Sequence, residues 1–438
     1  MSREQRGFLW VCGLFVVLSV TYSFIIRLGF GPDEPRHWLY LPLLWKQHCL
    51  PRVLPDGTEL GGAIALHPPL YYLLVSPAYL LGNALGGPLL AQRMIRGMSP
   101  LFGLAMLWLA WNSFGRVFGQ RRGAALCAVA LLALWPHILL DHSVINNDNL
   151  ANLSGAAVAW FLVSRPGGAW SRRDALIGGV LLGIGALSKG QLLLCLPPSL
   201  AIMLAWDHGR DWYRQPAFWR NLGLTALAAT LVCGWWYGRN FWLYGSINYV
   251  APGYSGIPQG MGLGQAISEG VIGHLVLRAV GGVFLSVWCQ VGWFPQASAN
   301  LLYALLGVVL AGAAVGWVRF GLKLRAGQAA IEPRQLRDFA ALCLPFAFIY
   351  LLLLYVSTFV HMGVYQGGRY ALFAVGGFVA MLVAGWRQWL PERLRLPLGV
   401  ALLALFLTMN LLCMSNLANV LNPTYAPGVT LTTPIPGG

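Results

Sequence analysis

Apolar stretches recur along the whole chain, near residues 8–28, 98–116, 123–141, 148–164, 175–188, 190–206, 222–243, 300–318, 339–360, 370–386 and 396–415. A helix needs about 20 such residues to cross a bilayer core, so the pattern predicts an all-α polytopic membrane protein of about eleven helices (10–13). The first run, Phe8 to Ile26, exceeds an ordinary signal-peptide core and has no small-residue cleavage pattern behind it, so it reads as a retained signal anchor. Two further apolar stretches, 67–86 and 271–289, are ambiguous.

Charge settles how to treat them. If neither crosses and the N-terminus is cytoplasmic, 19 of the 29 Lys and Arg residues fall on the cytoplasmic side; letting 67–86 cross leaves eight there. The positive-inside rule selects the first arrangement. It predicts one transmembrane domain over 1–416 and an external tail at 417–438. Two long external loops follow, at 29–97 with juxtamembrane helices and at 245–299. The outer face then gathers Asp33, Glu34, Asp141 and Asp148 with Lys189, Arg278 and Arg369. Charged groups at that depth are expensive unless they are paired or face water, so an outward-opening polar cavity is the expected host.

Composition agrees: 57% of residues are hydrophobic and only 10% charged. The formal charge of +15 comes from basic residues scattered between apolar runs, without a basic stripe interleaved with aromatics, which argues against nucleic acid as a partner. The 53 glycines and 26 prolines fall within and at the ends of the runs, as packing and kink residues. The eight cysteines show no CxxC spacing, and only Cys49 with Cys289 suggests a weak external disulfide.

Five fragments carry candidate chemistry. In "GPDEPRHW" (31–38), Asp33 opens a short interfacial amphipathic helix carrying Trp38, Leu41 and Trp45. A helix cap with an ion pair to Arg36 accounts for one carboxylate but not for Asp33 and Glu34 in tandem. In "HPPLYYLL" (67–74), His67 is either an interfacial anchor or a cavity residue, as is His37. In "DHSVINNDNLANL" (141–153), Asp148 either caps a turn or balances the first acidic pair. Lys189 in "LSKGQLLL" either snorkels outward or binds an anion. Arg369 in "QGGRYALF", next to Tyr370, could grip a phosphate with two hydrogen bonds, or anchor the helix at the interface. Arg278 with His274 is a weaker anion site. Asp33, Glu34, His37, His67 and Asp148 could also ligate a divalent metal, although their spacing fixes no site.

In this order between spans, the fragments resemble the GT-C superfamily of membrane glycosyltransferases that use polyprenyl-phosphate sugars. The likeness touches protein O-mannosyltransferases, lipid A aminoarabinose transferases and a bacterial membrane family with an N-terminal "PDE…H" and a late "GRY". It is best over the first two hundred residues and around Arg369. The resemblance implies a GT-C fold in a bacterial inner membrane, a lipid-phosphate donor in a groove open to the bilayer, and a lipid or glycan acceptor entering from outside. It implies that Asp33, with Glu34 beside it, deprotonates or contacts the acceptor, and it matches "HPPL", Asp148 and Lys189 to family elements. The short C-terminus departs from relatives that carry a soluble domain.

Sugar transfer from phosphate needs a base for the acceptor and cations for the departing phosphate, because the transition state is oxocarbenium-like with charge growing on the leaving group. The expectation is that Asp33 is the base, its pKa raised by Glu34 and Asp148, and that Arg369, Lys189 and Arg278 hold the phosphate, with His37, His67 and Tyr370 lining the cavity. Two rivals share these residues: a transporter or flippase of a lipid-linked anion, and an O-antigen-type polymerase or ligase with a diphosphate-linked donor. The one-sided acidic cluster and the absence of a hydropathy repeat favour an enzyme over a transporter.

Overall fold

A computed structural model describes residues 2–46, 48–53, 59–60, 67–119, 121–165, 167–247, 262–289, 293–360 and 367–421. Residues 422–438, most of the expected tail, lie outside this set, as do 248–261 of the second loop. The helices in chain order are α1 (Arg3–Ile25), α2 (Glu34–Lys46), α3 (Leu70–Val117), α4 (Arg122–Ala133), α5 (Pro136–Asp141), α6 (Asp148–Ser164), α7 (Arg172–Ser188) and α8 (Leu192–His208). They continue with α9 (Pro216–Tyr244), α10 (Leu263–Ser268), α11 (Ile272–Trp288), α12 (Gln296–Arg325), α13 (Pro333–Tyr355), α14 (Val375–Arg387) and α15 (Glu392–Asn416). A 3₁₀ segment, Gly367–Ala374, leads into α14. Arg52–Val53 pairs antiparallel with Glu59–Leu60 in the first loop.

Each apolar run of the sequence falls mainly on helical backbone, and six of the described helical segments are long and apolar enough to cross a membrane. Their starts obey local chemistry. Ser2 and Gln5 form a reciprocal capping box on α1, and Ser171 and Asp174 do the same on α7, satisfying N–H groups that would otherwise lack partners. The run 123–141 is interrupted where Trp135 turns extended before Pro136, which cannot continue a helix and instead starts α5.

The ambiguous stretch 67–86 becomes the first arm of a helical hairpin. Gly86 and Gly87 leave helical geometry, with Gly87 at φ +73°, a region open to glycine, and Pro88 begins the second arm. The two arms then touch: a Cβ on Gly82 would lie 2.4 Å from the Cα of Ala91. Tyr71, Tyr72, Val75 and Tyr79 of the first arm bury against Trp38, Tyr40 and Leu41 of α2, so the first loop has an apolar core of its own. The helix expected after Asp33 is therefore present. Its Trp45 is partly exposed and donates Nε1–H to Ser76 Oγ at 2.6 Å.

The main core lies among α1, α4–α6, α8 and α12–α15. Helices α7 and α9 pack backbone to backbone, since a Cβ on Gly179 would sit 2.3 Å from the carbonyl oxygen of Thr225, as small-residue helix interfaces in membranes allow. Chain direction puts the end of α1, the start of α6, the end of α7 and the start of the 3₁₀ segment at one end of the bundle. The other end holds a tight ion-pair network in which Arg337 grips Asp207 through two 2.7 Å bonds and Asp338 at 2.9 Å.

All eight cysteines are free thiols. The anticipated Cys49–Cys289 pairing does not occur, because Cys289 packs against Cys413 with sulfurs 3.7 Å apart while Cys49 lies against Leu43.

Candidate active site

Asp33 stands between α1 and α2 with φ +56°, a left-handed conformation uncommon for a residue with a side chain and enriched at functional positions. Its carbonyl accepts from the N–H groups of Arg36 and His37 and so launches α2. Its carboxylate turns the other way and accepts from Arg369 at 2.6 Å, with Arg36 more distant at 3.9 Å. Burial alone would raise the Asp33 pKa, but the charge and hydrogen bond of Arg369 outweigh it and hold the carboxyl at about 2. The expected rise is thus reversed, since its nearest charged partner is a cation.

The structure also separates the tandem carboxylates. Glu34 is buried and forms a bidentate pair with Arg96, Nε to Oε1 at 2.7 Å and Nη2 to Oε2 at 2.5 Å. Three backbone N–H groups, of Gly29, Gly31 and Ile145, donate to the same carboxylate. Arg96 spends its remaining donors on the carbonyls of Ser23, Ile26 and Arg27, at the C-terminal end of α1 where carbonyls lack helical partners. Glu34 therefore fixes the loop that presents Asp33, rather than sharing its site. The sequence offered Arg96 as an isolated charge and gave no hint of its partner.

A second ion pair faces the first. Lys189 ends α7 in an extended conformation and pairs with Asp148, the first residue of α6. Tyr370 lies between the two cations: the Lys189 ammonium and the Arg369 guanidinium are each 5.0 Å from its ring centroid, and its hydroxyl accepts from Arg369 at 3.2 Å. The segment carrying Arg369 is held by close contacts. Gly368 donates to Ser286 Oγ at 2.8 Å, and a Cβ there would lie 2.3 Å from the backbone nitrogen of Val287.

His67 completes the wall opposite. Asn147 Nδ2 donates to its Nδ1 at 3.2 Å and to the carbonyl of Ser188 at 3.0 Å, which leaves the proton of a neutral imidazole on Nε2. Burial, reinforced by Lys189, lowers the His67 pKa to about 4. His37 stacks edge-on to His67 at 5.4 Å and shares a 2.7 Å hydrogen bond with the Tyr72 hydroxyl; burial lowers its pKa as well.

Asp33, His37, His67, Asp148, Lys189, Arg369 and Tyr370 are thereby brought together. Arg278 is not: it is exposed on α11, eight residues and about 12 Å along the helix from Ser286. One residue of the site escaped the sequence reading. His137 of α5 donates Nδ1–H to the Ser286 carbonyl at 3.0 Å, and its signal was a histidine behind a helix-starting proline in an apolar run. Among the described residues, the buried Nε of Arg369, Nε2 of His137 and Oδ1 of Asn147 have no hydrogen-bond partner. These three lie beside the two ion pairs and are able to bond a polar ligand or water there.

A metal fits these residues poorly. Asp33, Glu34 and Asp148 each already hold a side-chain cation, and among the described residues no group of three or more His, Cys, Asp or Glu side chains is placed to bind one.

Residues 66–236 match the model of the family described as dolichyl-phosphate-mannose-protein mannosyltransferase. No curated protein matches this chain significantly. Among solved structures, the Archaeoglobus fulgidus oligosaccharyltransferase in complex with zinc and sulfate aligns at 15% identity and TM-score 0.53, over 93% of this chain and 53% of that one. The same archaeal enzyme, AglB, with an inhibitory peptide and a dolichol-phosphate aligns at 15% identity and TM-score 0.51, over 95% and 56%. ArnT from Cupriavidus metallidurans bound to undecaprenyl phosphate aligns at 13% identity and TM-score 0.41, over 84% and 77%. The chain spans about half the length of the archaeal chains it matches. It has the GT-C fold of membrane glycosyltransferases.

Proposed function

We propose that the chain is a membrane glycosyltransferase that moves a sugar from a polyprenyl-phosphate carrier to a lipid or glycan hydroxyl. The observation that carries this reading is the meeting of two ion pairs, Asp33–Arg369 and Asp148–Lys189, around Tyr370. Two cations at one aromatic ring suit a phosphate, and a carboxylate on the outer edge suits an entering hydroxyl. The distribution of basic residues supports a cytoplasmic N-terminus and a site at the outer face; the resemblance supports a bacterial inner membrane.

In this mechanism a donor phosphate draws Arg369 and Lys189 onto its oxygens. Asp33 then loses the partner that depresses its pKa and becomes a stronger base. It takes the acceptor's proton as the acceptor oxygen bonds to the anomeric carbon. The bond from that carbon to the phosphate oxygen breaks, and its electron pair leaves on the lipid phosphate, held by the two cations. Glu34 acts one step removed, by fixing the loop.

The deciding experiment compares polyprenyl-monophosphate and polyprenyl-diphosphate sugars as donors to the purified protein in liposomes. Transfer from the monophosphate donor supports the proposal. Transfer from the diphosphate donor alone replaces it with the polymerase or ligase reading, and carrier movement without transfer replaces it with the flippase reading.

A further inference from the structure

The end of the bundle away from Asp33 holds a cavity, and we propose that it binds an anionic phospholipid. It opens between α1, α4, α14 and α15 with a volume of about 730 Å³. Arg3, Arg121, Arg387 and Arg395 line it together with Glu4 and Glu392. The carboxylates are already engaged: Glu392 pairs with Arg395 at 2.6 Å, and Glu4 accepts from the Ser2 hydroxyl at 2.8 Å. Among the described residues, Arg3, Arg121 and Arg387 meet no carboxylate within ion-pair distance. Three arginines outnumber the carboxylates at the mouth of an apolar groove, Arg3 and Arg121 exposed there, and a lipid phosphate complements that excess of positive charge.

Below the arginines the walls are apolar. A further cavity of about 290 Å³ shares Val11, Ala130, Val400 and Leu403 with the first and continues it to Leu134 and Leu407. Along α15, Glu392 to Leu407 covers about 23 Å, more than the roughly 15 Å that one leaflet's hydrocarbon occupies. The groove therefore runs from headgroup level to the bilayer middle, the depth of one acyl chain. A polyprenyl chain shares the phosphate chemistry but greatly exceeds this length. Since α1 spans about 35 Å from Arg3 to Ile25, this groove and the candidate active site serve opposite leaflets.

The test is native mass spectrometry of the full-length protein in neutral detergent, titrated separately with phosphatidylglycerol, phosphatidylcholine and undecaprenyl phosphate. Phosphatidylglycerol is expected to be retained over phosphatidylcholine. The double variant Arg121→Gln/Arg387→Gln should weaken that retention about 10- to 30-fold without affecting phosphatidylcholine. Leu403→Trp, which fills the apolar depth and leaves every arginine in place, should weaken it too, and it serves if the double variant fails to fold. Equal retention of the two phospholipids, undiminished phosphatidylglycerol binding in both variants, or preference for undecaprenyl phosphate would each overturn the assignment.

Discussion

Arg369 donates to Asp33 at 2.6 Å across 336 residues of sequence, joining the loop between α1 and α2 to the segment that opens α14. Because Asp33 is strained and points at a cation, its exchange for Asn should remove the base and keep the shape. Asp33→Asn is expected to fold and to bind donor while transfer falls at least about 100-fold, the usual scale for losing a general base. A radiolabelled-sugar transfer assay checks this, and near-normal turnover would remove Asp33 from the chemistry.

Arg369→Ala and Lys189→Met should act on the donor. Each deletes one of the two cations beside Tyr370, so the apparent affinity for the lipid-phosphate donor should drop about 10-fold or more. Lys189→Met should also destabilise the protein, because Asp148 is left buried without its partner. A donor titration in liposomes separates the two effects from a melting curve.

Glu34→Gln tests an anchor rather than a catalyst. Glu34 and Arg96 are 1% and 0% exposed, and breaking a buried pair costs about 3–5 kcal/mol. Thermal unfolding in detergent should fall sharply in Glu34→Gln and recover in part in Glu34→Leu/Arg96→Met. A Glu34→Gln protein with parental stability and no transfer would return Glu34 to the chemistry.

His67 gives a pH signature. Its folded pKa, about 4, lies below the usual 6.5, so between those values the unfolded chain binds the extra proton. Stability from the neutral, buried ring is present above pH 6.5 and is lost as pH falls towards 4. His67→Gln should flatten the melting temperature across that window. An unchanged slope would mean that another group sets it.

The all-helical, apolar character could be read from the chain because a bilayer demands long apolar runs, although only six described helices are long and apolar enough to cross, against the eleven expected. The gathering of Asp33, Asp148, Lys189 and Arg369 was legible too, because charges near a bilayer must find company. Their pairing was not. Which cation meets which acid depends on how α6, α7 and the 3₁₀ segment dock, and no local pattern encodes that. Asp33 and Glu34 looked like one acidic pair in sequence. A left-handed residue followed by the first residue of a helix sends the two carboxylates to different places. The hairpin at Gly86–Gly87 was hidden for a similar reason: apolar content reveals that a segment is greasy, not that it doubles back.

With two acids set against two bases around Tyr370, the resting hollow is close to electrically neutral. A sugar-linked phosphodiester brings one negative charge and the bare phosphate left after transfer brings up to two, a gain that the proton taken up by Asp33 balances until it passes to solvent. Asp33, ionised again, then joins Asp148 in repelling the spent carrier, and both recapture their cations. On this reading the carboxylates that compete with the donor on entry are also what resets the enzyme for its next round.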